Sequence, residues 1–143
     1  MFTLTFSGGR STFLDGHPGF TESTAKIFVK VSLPGLERKL LAQLDTGAAY
    51  SILELEAARK LGLLDIGGLQ TRLGTRLGEF RGQLIRVPLK ILAEEGESLV
   101  TEATFFVSSQ WHGGTFLGYT GLLDKLRIAL DSPANQFYFG EES

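Results

Sequence analysis

The sequence contains no cysteine, which excludes disulfide bonds, thiolate zinc sites and thiol catalysis. It also contains no uninterrupted apolar run that approaches the ~18 residues of a membrane-spanning helix, so we expect no membrane partner. The first residues show neither a basic start nor a continuous apolar stretch, and no signal peptide is recognisable. These absences lead us to expect a cytoplasmic protein.

The chain also has a small net charge and few histidines. The formal net charge is -2, which gives no reason to expect nucleic acid or an anionic membrane surface as a partner. The two histidines, His17 and His112, are isolated and share no ligand spacing with carboxylates, which argues against a metal site. Neither stands in a motif that would support a serine triad. We therefore expect no metal and no cofactor.

What the chain does contain predicts one turn-rich β domain. Its 143 residues are 43% hydrophobic and include 18 glycines and 11 phenylalanines, enough for a real core with many turns. Apolar and polar residues alternate over residues 27–31, 85–91 and 99–107, as in half-buried strands. Residues 7–24 are rich in Gly, Ser and Thr, so we interpret them as a loop. Residues 1–24 are then a lead-in to a domain of residues 25–143.

The chain is organised around residues 40–48, where an apolar run stops at Asp45 and continues into Thr46, Gly47 and Ala48. The run predicts a buried strand that ends at the carboxylate, and the glycine predicts a sharp turn after it. Farther along, Ser51 and Glu54 have the spacing of a capping box, which predicts a helix through residues 55–61 ending near Gly62.

A second segment, Thr115-Phe116-Leu117-Gly118, is followed by Leu122-Leu123. Together with residues 44–48 and Ser51-Ile52, it resembles the signatures of the retropepsin-like aspartic proteases, single-domain relatives of the pepsins. The resemblance runs from about residue 25 to residue 139. It implies an all-β fold, a closed β barrel or sandwich with one or two short helices. It further implies that the second segment lies beneath the catalytic loop and that residues 71–91 form a flap hairpin.

The resemblance also implies roles for residues of the Asp45 loop and of the flap. Asp45 would be the catalytic acid/base, Thr46 would hold two such loops in register, and Gly47 would allow close backbone approach. Substrate would contact the floor of the site and the flap, through Ala48, Gly74, Thr75, Arg76, Leu77 and Gly78. Four arginines, Arg72, Arg76, Arg81 and Arg86, make the flap basic. Either they form a solvated face, which we favour, or they attract acidic substrates.

Peptide hydrolysis by this chemistry needs two carboxylates that share one proton, and the chain supplies one in the required setting. After Asp131, Pro133 stands where the motif needs glycine, and its fixed φ prevents the same turn. Asp124 lies on a predicted helix. We therefore expect the second carboxylate to be Asp45 of another copy, in a twofold homodimer. The apolar ends, Phe2-Leu4-Phe6 and Phe137-Tyr138-Phe139, are the candidate interface segments besides the Asp45 loop.

Three functions from different classes fit this sequence. The first is a homodimeric aspartic endopeptidase that cleaves peptide or protein substrates. The alternatives are a peptide- or protein-binding module of the same fold with weak catalysis, and a dimerisation domain of a larger assembly. The intact Asp45-Thr46-Gly47 favours the first, because a binding module has no need of a paired carboxylate.

Overall fold

The computed structural model of the protein describes residues 8–15, 26–75 and 78–141. Within these ranges the chain is mostly strand, with one short helix, α1 (Leu55–Lys60), and two 3₁₀ turns, Leu63–Asp65 and Leu123–Lys125. The strands are β1 (Gly9–Thr12), β2 (Leu14–Asp15), β3 (Ile27–Ser32), β4 (Leu40–Leu44), β5 (Ser51–Ile52), β6 (Leu69–Thr75), β7 (Gly78–Ile91), β8 (Glu95–Gly96), β9 (Leu99–Val107), β10 (Thr115–Leu117), β11 (Leu126–Asp131) and β12 (Gln136–Glu141).

The larger sheet closes on itself as a barrel. Its strand order is β2-β3-β4-β10-β5-β9-β7-β6, and an additional pairing of β3 with β7 joins the ring. In that closing pair Val31 lies opposite Ile91 and Ser32 opposite Lys90. Alternate residues of the strands point inward, so Val29, Val31 and Ile91 are buried in the core. The predicted all-β closed barrel with a short helix is confirmed.

A smaller sheet, ordered β11-β12-β1-β8, joins the two ends of the described chain. In it Gly9 lies opposite Phe139 and Thr12 opposite Gln136. The loop predicted for residues 7–24 is therefore wrong over β1 and β2, because pairing with distant strands overrides the local composition. The candidate interface segment Phe2-Leu4-Phe6 lies outside the described residues, as does His17.

The C-terminal strand packs inward. The side chains of Phe137 and Phe139 are fully buried in the chain's own core, and their rings lie 5.3 Å apart. The expectation that these two residues supply dimer interface surface is therefore wrong. An apolar strand has the same sequence pattern whether it faces its own barrel or a partner, so the pattern alone did not distinguish the two.

Strand β1 is also attached to the β7–β8 turn through Glu94. The Thr12 backbone N–H donates to Glu94 Oε1 and the Thr12 hydroxyl donates to Glu94 Oε2, both at 3.0 Å. The bond from the backbone N–H, followed by that from the hydroxyl, holds the pKa of the Glu94 carboxyl below its ordinary value of 4.5. A carboxylate thus anchors the strand that the sequence did not predict.

This anchor predicts a pH-dependent contribution to stability. Because the pKa of Glu94 is lowered by folding, its contribution is fully present above the unfolded pKa and is lost as the pH falls through the folded pKa. Glu94→Gln should reduce the free energy of unfolding at pH 7 by less than about 1 kcal/mol, since the group is exposed and solvent-screened. The difference from the parent should shrink at pH 3. Urea unfolding at both pH values measures it, with Glu97→Gln as the control from the same turn. Equal differences at pH 7 and pH 3 would contradict the assignment.

Candidate active site

Asp45 follows directly after strand β4, as predicted. Strand β4 runs parallel to β10, with Leu44 opposite Leu117, and the Asp45 backbone N–H donates to the Leu117 carbonyl oxygen at 3.0 Å. The Asp45 side chain is half-buried. Two barrel strands therefore fix the position at which this carboxylate leaves the sheet.

The turn after Asp45 orients its carboxylate. The Gly47 backbone N–H donates to Asp45 Oδ1 at 2.9 Å, and the Ala48 N–H donates to the Asp45 carbonyl oxygen at 3.2 Å. A Cβ at Gly47 would lie only 3.3 Å from Asp45 Oδ1, so glycine allows the close approach that the hydrogen bond needs. The neighbouring Thr46 is exposed.

The segment from Thr115 to Gly118 supports this turn from below. The Gly118 N–H donates to Ser51 Oγ at 2.9 Å, and the Tyr119 N–H donates to the Ala48 carbonyl oxygen at 2.9 Å. The backbone of Gly118 lies so close to Tyr50 that an added Cβ would be 2.3 Å from the Tyr50 carbonyl carbon and oxygen. The placement implied for this segment, beneath the Asp45 loop, agrees with the structure.

The capping box predicted from Ser51 and Glu54 is wrong. Ser51 is a buried residue of β5, and its hydroxyl accepts from Gly118 instead of capping a helix. Helix α1 begins at Leu55 without a side-chain cap. Glu54 Oε1 accepts from the Thr115 hydroxyl at 3.0 Å, so the carboxylate is engaged elsewhere. The predicted end of the helix near Gly62 is confirmed, with Gly62 in the left-handed region at φ 67°.

A cleft of about 850 Å³ opens over the Asp45 loop, and the β6–β7 hairpin forms its opposite side. Of the predicted site residues, Asp45, Gly47, Ala48, Gly74 and Thr75 line it together. Thr46 and Gly78 are not among the lining residues, and Arg76 and Leu77 lie outside the described part of the chain. The hairpin predicted between residues 71 and 91 is thus present, with Thr75 opposite Gly78 near its tip.

Arginines of the hairpin are partly neutralised by neighbouring carboxylates. Arg72 lies 3.4 Å from Glu79 and Arg86 lies 3.5 Å from Glu102. Both pairs are largely exposed, so they contribute little to stability. They favour the interpretation of these residues as a solvated face, and neither Arg72 nor Arg86 lines the cleft.

The rest of the cleft wall was not predicted. It consists of Gln43, Ala49, Tyr50, Ile52, Leu73, Trp111 and Phe116. The signal for Gln43 was present, because residues two apart on a strand share a face and Gln43 precedes Asp45 by two. Trp111, by contrast, stands in Trp111-His112-Gly113-Gly114, a segment whose composition predicts no more than a loop. Its burial, with 5% exposed, shows that the loop folds into the wall.

Trp111 connects the cleft floor with the hairpin. Its ring packs edge-on against Phe80 of β7, with centroids 5.4 Å apart, and against Phe116 of β10 at 6.0 Å. The indole N–H donates to the Gly114 carbonyl oxygen at 3.0 Å. Beside it, Gln110 Oε1 accepts from the Arg81 backbone N–H at 2.8 Å. The base of the hairpin is therefore fixed to the barrel.

The chemistry that the cleft offers centres on one carboxylate, because Asp45 is the single acidic residue among its described lining residues. Across residues 8–15, 26–75 and 78–141, no cluster of three or more histidine, aspartate or glutamate side chains could hold a metal ion. In the same ranges no helix has the length and apolar character to cross a membrane. A cleft with apolar walls and a few polar groups, here the carboxylate of Asp45, has the general character of a ligand-binding site.

Comparison with known proteins finds a likeness in structure rather than in sequence. No family model matches the chain, and no curated protein matches it. The fold is similar to the crystal structure of a retropepsin-like aspartic protease from Rickettsia conorii, with a TM-score of 0.61 at 19% identity over 97% of this chain and 96% of that one. It is also similar to the retroviral protease-like domain of Ddi1 from Leishmania major, with a TM-score of 0.52 at 16% identity over 82% and 96% of the two chains.

Proposed function

Because the chain has the retropepsin-like fold, we propose that it is an aspartic endopeptidase acting on extended peptide or protein substrates. The observation that carries this proposal is the place of Asp45, oriented by the Gly47 N–H at the floor of a cleft that the β6–β7 hairpin borders. The cleft volume of about 850 Å³ is within the usual range of ligand sites.

The second carboxylate of the reaction comes from Asp45 of another copy. Asp124 and Asp131 are both exposed and do not line the cleft, and Asp124 Oδ1 already accepts from the Gly121 N–H at 3.1 Å. Beside the Asp45 loop, Tyr119 leaves 52% of its surface exposed. The ring of Tyr119 is therefore available for contact with a second copy. The exposed Thr46 is available for the same contact.

In such a pair the two carboxylates share one proton, because two carboxyl groups in direct contact cannot both be ionised. The charged carboxylate takes a proton from water as the oxygen attacks the peptide carbon. The neutral carboxyl gives its proton to the carbonyl oxygen, which yields a tetrahedral diol. When the C–N bond breaks, the first group returns its proton to the leaving nitrogen. One diol hydroxyl returns a proton to the second group, which restores the starting state.

Mixing experiments test the shared site. With exchange of subunits, equal amounts of parent and Asp45→Asn should give about half the activity of the same parent amount alone, because only parent–parent pairs are complete. Excess Asp45→Asn should suppress activity further, and dilution of the parent should lower its activity per molecule. Asp131→Asn, a matched change at an exposed strand residue, should not suppress. Activity that adds linearly and survives dilution would contradict the dimeric site. Peptide binding without cleavage would instead support the binding-module alternative.

A further inference from the structure

Gln43 places a carboxamide on the cleft floor beside Asp45. It belongs to strand β4, is half-buried and lines the cleft. Side chains two residues apart on a strand point to the same face and lie about 7 Å apart. The side chain of Gln43 therefore lies within reach of a substrate residue next to the bond that Asp45 would act on.

Several apolar side chains line the cleft together with this carboxamide. Phe116 of β10 is the direct cross-strand neighbour of Gln43, and Ile52 of β5 is the neighbour of Phe116 on its other side. Trp111 packs edge-on against Phe116, and Leu73 lines the cleft from the hairpin. Gln43 is thus the polar member of an otherwise apolar row across the floor.

The carboxamide of Gln43 has no hydrogen-bond partner among the residues that the structure describes. Two other glutamines of the fold, Gln83 and Gln110, do have partners. Gln83 Nε2 donates to the Leu64 carbonyl oxygen at 2.7 Å, and Gln110 Oε1 accepts from the Arg81 N–H at 2.8 Å. A half-buried carboxamide that faces a cleft retains two N–H donors and an acceptor for a bound molecule.

We propose that Gln43 is a specificity-determining residue that selects a glutamine or asparagine side chain flanking the scissile bond; this proposal rests on the proposed function. A substrate carboxamide can donate to the Gln43 oxygen and accept from its N–H while its aliphatic stem packs on Phe116 and Ile52. An aliphatic substrate side chain would desolvate Gln43 without replacing its hydrogen bonds. A substrate glutamate would meet the charge of Asp45, and a lysine would carry its charge into an apolar wall.

Peptides that differ at one position test this selection. Mass spectrometry of a random peptide library treated with the parent first identifies cleaved sequences. Matched peptides with glutamine, methionine or glutamate at the selected position are then compared by kcat/KM. The parent should cleave the glutamine peptide about tenfold better than the near-isosteric methionine peptide. In Gln43→Leu that ratio should fall to one or below. Gln70→Leu, the same change at an exposed hairpin residue outside the cleft, should keep the parent's ratio.

The outcomes separate this proposal from the proposed function. Cleavage with a ratio that Gln43→Leu does not change overturns the Gln43 assignment and leaves the endopeptidase in place. If the parent cleaves no library peptide, peptides that it retains from the same library are identified instead, and their matched glutamine, methionine and glutamate versions are compared by fluorescence polarisation. Glutamine-selective binding that Gln43→Leu abolishes supports the subsite while overturning peptide hydrolysis. Failure of all peptides to bind or to be cleaved overturns both.

Discussion

Asp45→Asn will abolish peptide hydrolysis and leave the fold intact. Asparagine has nearly the same size as aspartate and keeps an oxygen that can accept a hydrogen bond from the Gly47 N–H. In the parent, this bond joins the Gly47 nitrogen to Asp45 Oδ1 at 2.9 Å. Its amide, however, cannot accept a proton from water or return one to the leaving nitrogen. Loss of one positioned acid or base costs roughly a hundredfold to ten-thousandfold in rate, and here both members of the proposed pair change together.

The measurement is kcat/KM on a peptide that the parent cleaves, accompanied by the thermal unfolding midpoint. Asp131→Asn provides the control, because Asp131 is an exposed residue of β11 away from the cleft. It should retain the parent's activity. Turnover by Asp45→Asn within tenfold of the parent, in a normally folded protein, would show that another group performs the chemistry.

Gly118→Ala will destabilise the protein and disturb the Asp45 loop together. The added Cβ would lie 2.3 Å from the Tyr50 carbonyl carbon and 2.7 Å from the Ser51 nitrogen. Both are backbone atoms, so no flexible side chain can give way. Separating the two segments would weaken the Gly118–Ser51 hydrogen bond and the adjoining pairing of β10 with β5. We expect a loss of about 3 kcal/mol in the free energy of unfolding.

Gly114→Ala is the matched control for this substitution, since a Cβ at Gly114 would have no heavy atom within 4 Å. It should change the free energy of unfolding by less than about 0.5 kcal/mol. Urea unfolding of the parent and both variants measures the difference in the free energy of unfolding. Peptide-cleavage assays of the same three proteins report whether the Asp45 loop is disturbed. Equal stability of the two alanine variants would contradict the close approach of Gly118 to Tyr50.

The sequence predicted those parts of the site that carry a local signal. The apolar run before Asp45 and the glycine after it each constrain their own backbone, and the structure contains the corresponding strand and turn. The hairpin, by contrast, was implied by the resemblance. Strand β1 could not be predicted in this way. Gly9, Arg10 and Ser11 have no apolar alternation, and they are extended because they pair with β12 at the other end of the described chain.

The cleft wall illustrates the same limit for side chains. Trp111 lies in a glycine-rich loop, and nothing local indicates that its ring packs between Phe80 and Phe116. Ser51 has the right spacing from Glu54 for a helix cap, yet pairing of β5 on both sides takes it into a sheet. In both cases distant partners decide the role, and a single sequence does not identify distant partners.

The order of the strands has a consequence for the protein during its synthesis. Strand β10 lies between β4 and β5, so neither of the two strands that flank the Asp45 loop has its partner on that side until β10 enters between them. A growing chain that has already released Asp45 from the ribosome still lacks Leu117, the acceptor of the Asp45 N–H. Such late, long-range contacts also form slowly. The loop therefore takes its observed shape only after β10 has been made, and a nascent chain that ends before β10 carries the Asp45 carboxylate without the backbone contact that positions it.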